Sequence, residues 1–341
     1  MRAESLSPPP TGDTTARGVL AARDRIRSLV RQTPAVRSPA LDRLAGLPIV
    51  LKAENLQEGG SFKFRGATNY VAASDRRARE RGFATLTSGN HGIAVGLAAA
   101  RVGAAATVLM TSDADPDKTA AAARTGATIV RLQPNEASDW DEVMAGHPTC
   151  ASANVIHPFD DALVIEGQAT ATLELLEQAP DIRSLVVPCG GGGLLAGAAL
   201  AMEAKRRRLQ LVGVQPAASH ACELSLRMRR RVARTPGNTI ADGQRVPAPG
   251  HLTYALIQRS CDAIVTVDDQ AIVTAMTWAA RHANLRLEPS GATGLAAVLT
   301  ARHRFQPPVG VILSGGNVGR ERFQRLQAAA SRYAEADAGQ G

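Results

Sequence analysis

Short apolar runs alternate with amphipathic segments from about residue 82 onward, and this alternation restricts the possible folds more than any other feature. The runs that have the length of single strands lie at residues 84–88, 105–110, 127–132, 184–188, 209–215, 262–267 and 309–314. Segments typical of helices lie at 92–103, 116–126, 163–178, 194–205, 269–282 and 292–303, with a weaker one around Trp140. Strands separated by helices of this length form βαβ units. The sequence therefore predicts an α/β fold of mostly parallel sheets with helices on both faces.

The composition restricts the class of protein. The chain has 341 residues, more than one core usually serves, which predicts two lobes. Apolar residues make up 45% and charged residues 21%, as in a soluble globular protein, which excludes a disordered chain. The four cysteines form no CxxC pair, so no zinc site or disulfide framework is indicated and a cytoplasmic location is expected. No apolar stretch is long enough to span a membrane, and the polar residues 1–16 are expected to form a flexible tail.

Glycine-rich or polar loops follow three of the predicted strands. They are TSGNHG at 87–92, PCGGGGLLAG at 188–197 and SGGNVG at 314–319. Ligands of parallel sheets bind beyond the carboxyl ends of the strands, and free amides at a helix N-terminus bind anions. Three such loops predict a ligand with more than one anionic group.

Lys63 is the first candidate catalytic residue. It stands between Phe62 and Phe64, just after two glycines and at the predicted start of a helix. A lysine in a partly apolar pocket has a lowered pKa and can act as a nucleophile. The chain has only four lysines, so a reaction that needs one has few candidates. A surface lysine between two core phenylalanines is the simpler alternative, and Lys63 alone does not exclude it.

The four glycines from Gly190 to Gly193 are the second candidate. They follow a buried strand and precede a helix, so their backbone could wrap a phosphate closely, with added attraction from the helix dipole. A tight turn is one alternative and a dinucleotide site is another. Gln215 stands where a dinucleotide site would place an acidic residue, which argues against the second alternative.

Polar side chains in the other loops complete the candidate set. Ser88, Asn90 and His91 offer a hydroxyl, an amide and an imidazole at a helix start, where a carboxylate could bind, although simple N-capping would also explain them. Ser314 ends the last strand in what could be a capped turn, and Glu288 begins what could be a break between helices. A lysine, a phosphate cup, a carboxylate cup and a hydroxyl at a strand end are together what pyridoxal phosphate chemistry on an amino acid requires.

In these motifs the chain resembles the fold-type II pyridoxal-phosphate enzymes, specifically the threonine/serine dehydratase and serine racemase family. The matching segments are KAENLQEGGSFKFRGA (52–67), TSGNHG (87–92), VIEGQAT (164–170), VVPCGGGGLLAG (186–197), TIADG (239–243), LEPSGATG (287–294) and LSGGNV (313–318). They occur in the family's order over nearly all of residues 17–330. The resemblance implies a large cofactor-binding domain of residues 17–81 and 158–330 and a small domain of residues 82–157, with the cofactor between them.

The resemblance also implies a role for each candidate residue. Lys63 binds the cofactor and removes the substrate's Cα proton, and Phe62 packs beside the cofactor ring. Asn90 bonds the ring's 3-hydroxyl oxygen, Glu288 lies near the ring, and Ser314 faces the pyridine nitrogen. The phosphate lies against Gly190, Gly191, Gly192, Gly193 and the backbone of Leu194, and the substrate carboxylate lies against Ser88, Gly89, Asn90 and His91.

The expected activity is that of a dehydratase, or ammonia-lyase, which converts a β-hydroxy-L-amino acid to a 2-oxo acid and ammonia. A serine at the pyridine nitrogen makes the ring a weaker electron sink than a carboxylate would, and this favours β-elimination. Threonine or serine is the default substrate. The loop 133–140 lacks the arginine of serine racemases, so a phenylserine-like substrate stays open beside hydroxyaspartate. Racemisation is the alternative, because Ser88 stands at the family's position for a second proton donor.

No metal is expected. Relatives that bind a divalent cation have a glutamate and an aspartate where this chain has Gln215 and Ala221. Hard cations need carboxylate oxygens, and both carboxylates are absent from this segment.

A nucleic-acid partner is not expected either, although the formal net charge is +8. The basic clusters at 205–208 and 227–234 contain no interleaved aromatic residues, and solvated helix ends explain them. A non-catalytic protein that binds a phosphate ligand is a further alternative, against which the intact Lys63, Ser88 and Ser314 argue. The resemblance implies a homodimer that acts on a small amino acid.

Overall fold

The computed structural model describes residues 14–133 and 140–328. Its strands are β1 (Ala35–Val36), β2 (Ile49–Ala53), β3 (Phe83–Leu86), β4 (Ala106–Thr111), β5 (Thr128–Leu132), β6 (Asn154–Val155), β7 (Ser184–Pro188), β8 (Gln210–Pro216), β9 (Ala263–Val267) and β10 (Val309–Leu313). Its helices are α1 (Ala16–Ile26), α2 (Pro39–Ala45), α3 (Lys63–Ala73), α4 (Arg76–Arg81), α5 (Asn90–Arg101), α6 (Pro116–Ala123), α7 (Trp140–Gly146), α8 (Ala162–Gln178), α9 (Gly193–Ala204), α10 (Ala221–Met228), α11 (His251–Ser260), α12 (Asp269–Ala283) and α13 (Pro289–Thr300).

The strands form two sheets. One has six strands in the order β1-β2-β10-β7-β8-β9, in which only β1 runs antiparallel to its neighbour. The other has four parallel strands in the order β5-β4-β3-β6. This α/β architecture with parallel sheets confirms the predicted fold class.

Helices cover both faces of the six-stranded sheet. Val187 of β7 packs in one core cluster with side chains of α8 and α9, such as Leu173 and Leu195. The preceding residue of the strand, Val186, packs in a second cluster with side chains of α12 and α13. Successive side chains of a strand point to opposite faces, so a strand that is buried on both faces reads as a continuous apolar run. For this reason β7 and β10 could be predicted from the sequence as apolar runs.

The strand β2 was not predicted because it carries a buried charge. The ammonium of Lys52 lies 2.6 Å from Glu174 Oε2 and donates to the carbonyl of Thr33 at 2.6 Å. Arg65 of α3 joins the same network, with its Nε 2.7 Å from Glu54 Oε2 and its Nη1 2.7 Å from Glu174 Oε1. Buried charges of this kind are tolerated only when they are paired and hydrogen-bonded. The network links β2, α3 and α8.

Helix boundaries follow the capping residues. Asp115 accepts hydrogen bonds from the amides of Asp117 and Lys118, and Pro116 is the first residue of α6, as the sequence predicts. Helix α13 begins at Pro289, three residues before the predicted start at 292, because proline also occupies its first turn. Helices α1, α2, α4, α10 and α11 and the short strands β1 and β6 were not predicted.

The four-stranded sheet lies within residues 83–155, and the six-stranded sheet takes its strands from both sides of that segment. The domain boundaries at 81–82 and 157–158 stay a prediction. Helix α1 begins at Ala16 with Thr15 as its cap, inside the segment expected to be a tail, and residues 1–13 lie outside the described residues. Across the described ranges, no helix is both long and apolar enough to cross a membrane.

Candidate active site

A cavity of about 440 Å³ lies at the carboxyl ends of strands from both sheets. Leu86 at the end of β3, Pro188 at the end of β7 and Ser314 just after β10 all line it. This is the edge at which parallel sheets bind ligands. The cavity brings together every predicted site residue: Phe62, Lys63, Ser88, Gly89, Asn90, His91, Gly190, Gly191, Gly192, Gly193, Leu194, Glu288 and Ser314. Their individual roles stay predictions.

Lys63 is the first residue of α3, and it lines the cavity. Its ammonium donates to the carbonyl of Pro158 at 2.6 Å and lies 5.1 Å from the centroid of the Phe62 ring. Burial lowers the pKa of Lys63 to about 8, because the charged form loses its hydration. The backbone amide of Phe62 donates to the carbonyl of Ser314 at 3.1 Å, which fixes the start of α3 against the end of β10.

The glycine loop connects β7 to α9 through Cys189 and the glycines 190–192. Gly192 has φ +100°, a left-handed conformation that favours glycine. A Cβ atom on Gly191 would lie 2.5 Å from the ring of Phe159, so that position has no room for one. The carbonyl of Gly191 accepts a hydrogen bond from Thr253 Oγ1 at 2.7 Å. The amides at the N-terminus of α9 have no intrahelical acceptors, which makes the loop an anion cup.

Asn90 lies between two side chains from loops of the six-stranded sheet. Its Nδ2 donates to Glu288 Oε1 at 2.5 Å, and its Oδ1 accepts from Asn317 Nδ2 at 2.9 Å. Burial is the main cause that raises the pKa of Glu288; the negative charge of Asp242 adds to it and Lys118 opposes it. The amide of Asn90 is therefore held at both ends.

Lys118 is a cavity residue to which sequence reasoning gave no role. Its ammonium lies 2.6 Å from Asp242 Oδ2 and 2.8 Å from Glu288 Oε2, and its side chain is 2% exposed. Its position in the sequence could have indicated a place in the site. Lys118 lies in the first turn of α6, and the strand before that helix ends at the ligand-binding edge of a sheet. Other lining residues that sequence reasoning missed include Trp140, His157, Phe159, Asp242 and Arg245.

The two histidines of the cavity are neutral at physiological pH. His91 is buried, which lowers its pKa well below the ordinary value, and its Nε2 lies 3.2 Å from the carbonyl of Ile156. Its other ring nitrogen, Nδ1, has no hydrogen-bond partner within the described ranges. Burial lowers the pKa of His157 to about 4, and its Nδ1 accepts from the amide of Asp160 at 2.7 Å.

Gln215 lies behind the glycine loop. Its Oε1 accepts from the amide of Glu223 at 2.9 Å, and its Nε2 lies 3.5 Å from the carbonyl of Gly190. Within residues 14–133 and 140–328 no three His, Cys, Asp or Glu side chains are grouped to hold a metal ion. The expectation that no cation binds stays a prediction, and residues 134–139 of the loop that lacks the arginine lie outside the described ranges.

The cavity fits pyridoxal phosphate. It places a lysine of lowered pKa, a glycine loop at the N-terminus of a helix, and the Phe62 ring around one space. Ser314 is 6% exposed, and its hydroxyl lies 3.4 Å from the carbonyl of Ser290 at the end of a central strand. Fold and cavity together have the features of an enzyme that uses pyridoxal phosphate.

Comparison with known proteins identifies the family. The profile of the pyridoxal-phosphate dependent enzymes matches residues 26–315, and the chain belongs to this family. It is 38% identical to the L-threo-3-hydroxyaspartate ammonia-lyase of Saccharomyces cerevisiae, over 90% of this chain and 94% of the yeast protein. It is 35% identical to the serine racemase of Arabidopsis thaliana, over 87% of this chain and 91% of the plant protein.

A solved structure supports the same family assignment. The threonine deaminase of T.th. superimposes with a TM-score of 0.83 at 37% identity, over 89% of this chain and 99% of that one. The family resemblance predicted from the motifs is confirmed, and the protein is an enzyme whose cofactor is pyridoxal phosphate.

Proposed function

We propose that this protein is an ammonia-lyase that converts a β-hydroxy-L-amino acid to a 2-oxo acid and ammonia. The observation that carries the proposal is the meeting of Lys63, the Ser88–His91 loop, the Gly190–Gly193 cup and Ser314 around one cavity. Relatives that are named ammonia-lyases or deaminases, at 38% and 37% identity, support it.

Each group of residues has a part in the reaction. Pyridoxal phosphate, when bound, draws electrons from the substrate's Cα and so makes its proton acidic. Lys63 holds the cofactor and then, as a neutral amine, takes the Cα proton. The amides of Gly190–Leu194 hold the phosphate, and the Ser88–His91 loop holds the substrate carboxylate. The β-hydroxyl leaves as water and takes up one proton, which balances the proton that Lys63 removes from Cα. The released enamine becomes an imine, and one water molecule hydrolyses the imine to the 2-oxo acid and ammonia.

The neutral hydroxyl of Ser314 supports elimination in particular. A carboxylate at that position would hold a proton on the pyridine nitrogen and stabilise negative charge on Cα for longer. Ser314 offers only a hydroxyl on a backbone carbonyl, so the reaction is expected to proceed quickly to loss of the β-substituent.

Threonine and serine are the default substrates, and Arg245 gives a reason to test an acidic one. Arg245 lines the cavity and is exposed, and across the described ranges its side chain has no hydrogen-bond or ion-pair partner. A β-carboxylate would find an available cation there, and one relative is named for hydroxyaspartate. Trp140 and Phe159 line the same cavity, and their aromatic rings are a reason to test a phenylserine-like substrate as well.

Racemisation is a second candidate because Ser88 lines the cavity together with Lys63, and its hydroxyl could return a proton to Cα. The relative from Arabidopsis thaliana is named a serine racemase. Ser88→Ala should abolish any formation of D-serine from L-serine while ammonia release from the L-isomer persists. A loss of both activities would show that Ser88 serves the substrate carboxylate instead.

The first test is borohydride reduction of the holoenzyme, followed by peptide mapping of the modified lysine. A label on Lys63 establishes the site, and a label on Lys52, Lys118 or Lys205 contradicts it. Release of 2-oxo acid is then measured with threonine, serine, hydroxyaspartate and phenylserine, with Lys63→Ala as the inactive control. Ammonia release by Lys63→Ala would contradict the mechanism. We also propose a homodimer located in the cytoplasm, and light scattering of the purified protein tests the dimer.

A further inference from the structure

Lys118 enters the active site from the four-stranded side of the cavity. Asp115 caps helix α6 through the amides of Asp117 and Lys118, which fixes the residue in the first turn of that helix. The side chain then runs across Gly89, where a Cβ atom would lie 2.7 Å from Lys118 Cδ. Gly89 therefore leaves room for the stem of this lysine, which reaches the opposite wall of the cavity.

The charge of Lys118 is fully engaged there. Its ammonium lies between the carboxylates of Asp242 and Glu288, at 2.6 and 2.8 Å, with the Lys118 and Glu288 side chains each 2% exposed. Burial and the charge of Asp242 both raise the pKa of Glu288, and Lys118 is the cation that opposes them. Without this ammonium, the Glu288 carboxyl would be driven to take up a proton.

Glu288 in turn orients Asn90. The carboxylate accepts one Nδ2 hydrogen of Asn90, and Asn317 donates to the Asn90 oxygen. The amide nitrogen of Asn90 keeps its second Nδ2 hydrogen for a ligand in the cavity. A protonated Glu288 would accept this bond less strongly, and the amide would lose the partner that decides which way it faces.

We propose that Lys118 is a positioning residue of the active site, which keeps the Glu288 carboxylate charged so that Asn90 presents its remaining N–H to the cofactor ring. The inference rests on the proposed contact of Asn90 with the cofactor. Lys118 itself touches neither the reacting atoms nor, by this assignment, the cofactor. Its effect is transmitted through two side chains.

The test measures binding of pyridoxal phosphate to the apoprotein without substrate, by absorbance titration. Lys118→Met should weaken cofactor binding about tenfold or more, since it leaves the buried carboxylate of Glu288 without its cation. Lys118→Arg keeps the charge and should recover most of the affinity. Lys205→Met is the matched control, because Lys205 pairs with Glu177 at 2.5 Å on the surface, and its affinity should not change.

A double-mutant cycle tests the route through Glu288. Glu288→Gln keeps an oxygen acceptor for Asn90 and needs no cation. In that background Lys118→Met should weaken cofactor binding much less than it does in the wild-type protein. Equal effects in both backgrounds would overturn the proposal. If Lys118→Met does not fold, Lys118→Gln, which also removes the charge, takes its place in the cycle.

Other outcomes separate this inference from the proposed function. An unchanged cofactor affinity with a raised KM would make Lys118 a substrate contact and would overturn the positioning role. Failure to release 2-oxo acid from any substrate would overturn the proposed function, yet a lowered cofactor affinity in Lys118→Met would still support the role inferred here.

Discussion

Burial controls the reactivity of Lys63. The side chain has no carboxylate partner among the described residues, and its ammonium rests on a single backbone carbonyl, that of Pro158. Burial therefore lowers its pKa to about 8 without an opposing charge. Lys118 has the opposite surroundings, because two carboxylates outweigh its burial and raise its pKa. One lysine is prepared to react as a neutral amine and the other stays a cation.

Attachment of pyridoxal phosphate to the apoprotein should therefore depend on pH. Only the neutral amine of Lys63 attacks the aldehyde, and the neutral fraction rises as the pH passes upward through about 8. We expect the rate of attachment to rise about tenfold per pH unit below that value and to level off above it. Stopped-flow absorbance from pH 6.5 to 9.5 measures this, and a midpoint near the ordinary lysine value would contradict it.

At the scale of single residues, the sequence predicted which residues line the cavity, but it did not predict the ion pairs among them. Lys63 and the four glycines stand in recognisable local patterns, and the cavity contains all of them. Lys118 and Asp242 meet across 124 positions of sequence. No local pattern could indicate that pairing, because it depends on how the two sheets face each other.

The glycine loop packs closely against Phe159, which lies in the loop between β6 and α8. Gly191→Ala would place a Cβ atom 2.5 Å from the Phe159 ring, and the loop would have to move out of its phosphate-binding shape. We expect cofactor affinity to fall about tenfold or more, measured by absorbance titration, since a rigid ring cannot yield easily. Gly146→Ala is the matched control, because no atom lies within 4 Å of the added Cβ there.

Removal of the Phe159 ring should reverse part of the loss of cofactor affinity that Gly191→Ala causes. In the double variant Gly191→Ala with Phe159→Ala, the new methyl group has space, and part of the cofactor affinity should return. If the double variant binds more weakly than Gly191→Ala alone, the collision with Phe159 is not the cause.

The ion network beside β2 is expected to stabilise the fold strongly. Arg65→Met would leave the fully buried carboxylate of Glu54 without its partner and should lower the free energy of unfolding by about 3–5 kcal/mol. Arg37→Met is the control: Arg37 pairs with Asp181 on the surface, and its loss should cost less than about 1 kcal/mol. Urea denaturation of both variants measures the difference, and equal losses would contradict the argument.

The pH dependence of this network has a definite sign. Burial alone would raise the pKa of Glu54, but the charge and hydrogen bonds of Arg65 bring it below the ordinary value. Its contribution to stability is therefore complete above the ordinary pKa of a glutamate and is lost as the pH falls through the lower folded-state pKa.

Whether a helix or strand could be predicted from the sequence depends on how it is buried, how long it is and how it is capped. Strands such as β7, buried on both faces, appear as apolar runs, whereas β2 contains Lys52 and depends on partners from α8 that a local pattern cannot reveal. Helix α10 is short, at eight residues. Helix α11 is capped by the distant Asp160, which accepts from the amide of His251 at 2.7 Å. Such long-range caps leave no mark next to the helix.

For the molecule as a whole, we expect the excess of arginine to form no nucleic-acid surface. Arg207 donates to the carbonyl of Pro180 at 2.9 Å, and Arg231 donates to that of Pro249 at 2.9 Å. One arginine of each basic cluster is thus bound to the end of a nearby loop. We expect the protein to dissociate from immobilised double-stranded DNA below about 0.15 M salt, since net positive charge without a nucleic-acid-binding motif gives only weak, salt-sensitive binding. Retention above about 0.3 M salt would contradict this interpretation.

The burial of the lysines has a practical consequence for handling the enzyme. The side chains of Lys52 and Lys118 are 0% and 2% exposed, and Lys205 at the end of α9 is 29% exposed. Lys63, by the proposed assignment, holds the cofactor in the holoenzyme. Among the lysines, an amine-reactive support would therefore attach to this protein through Lys205 rather than through the other three. Covalent immobilisation by ordinary acylation should leave the active site untouched.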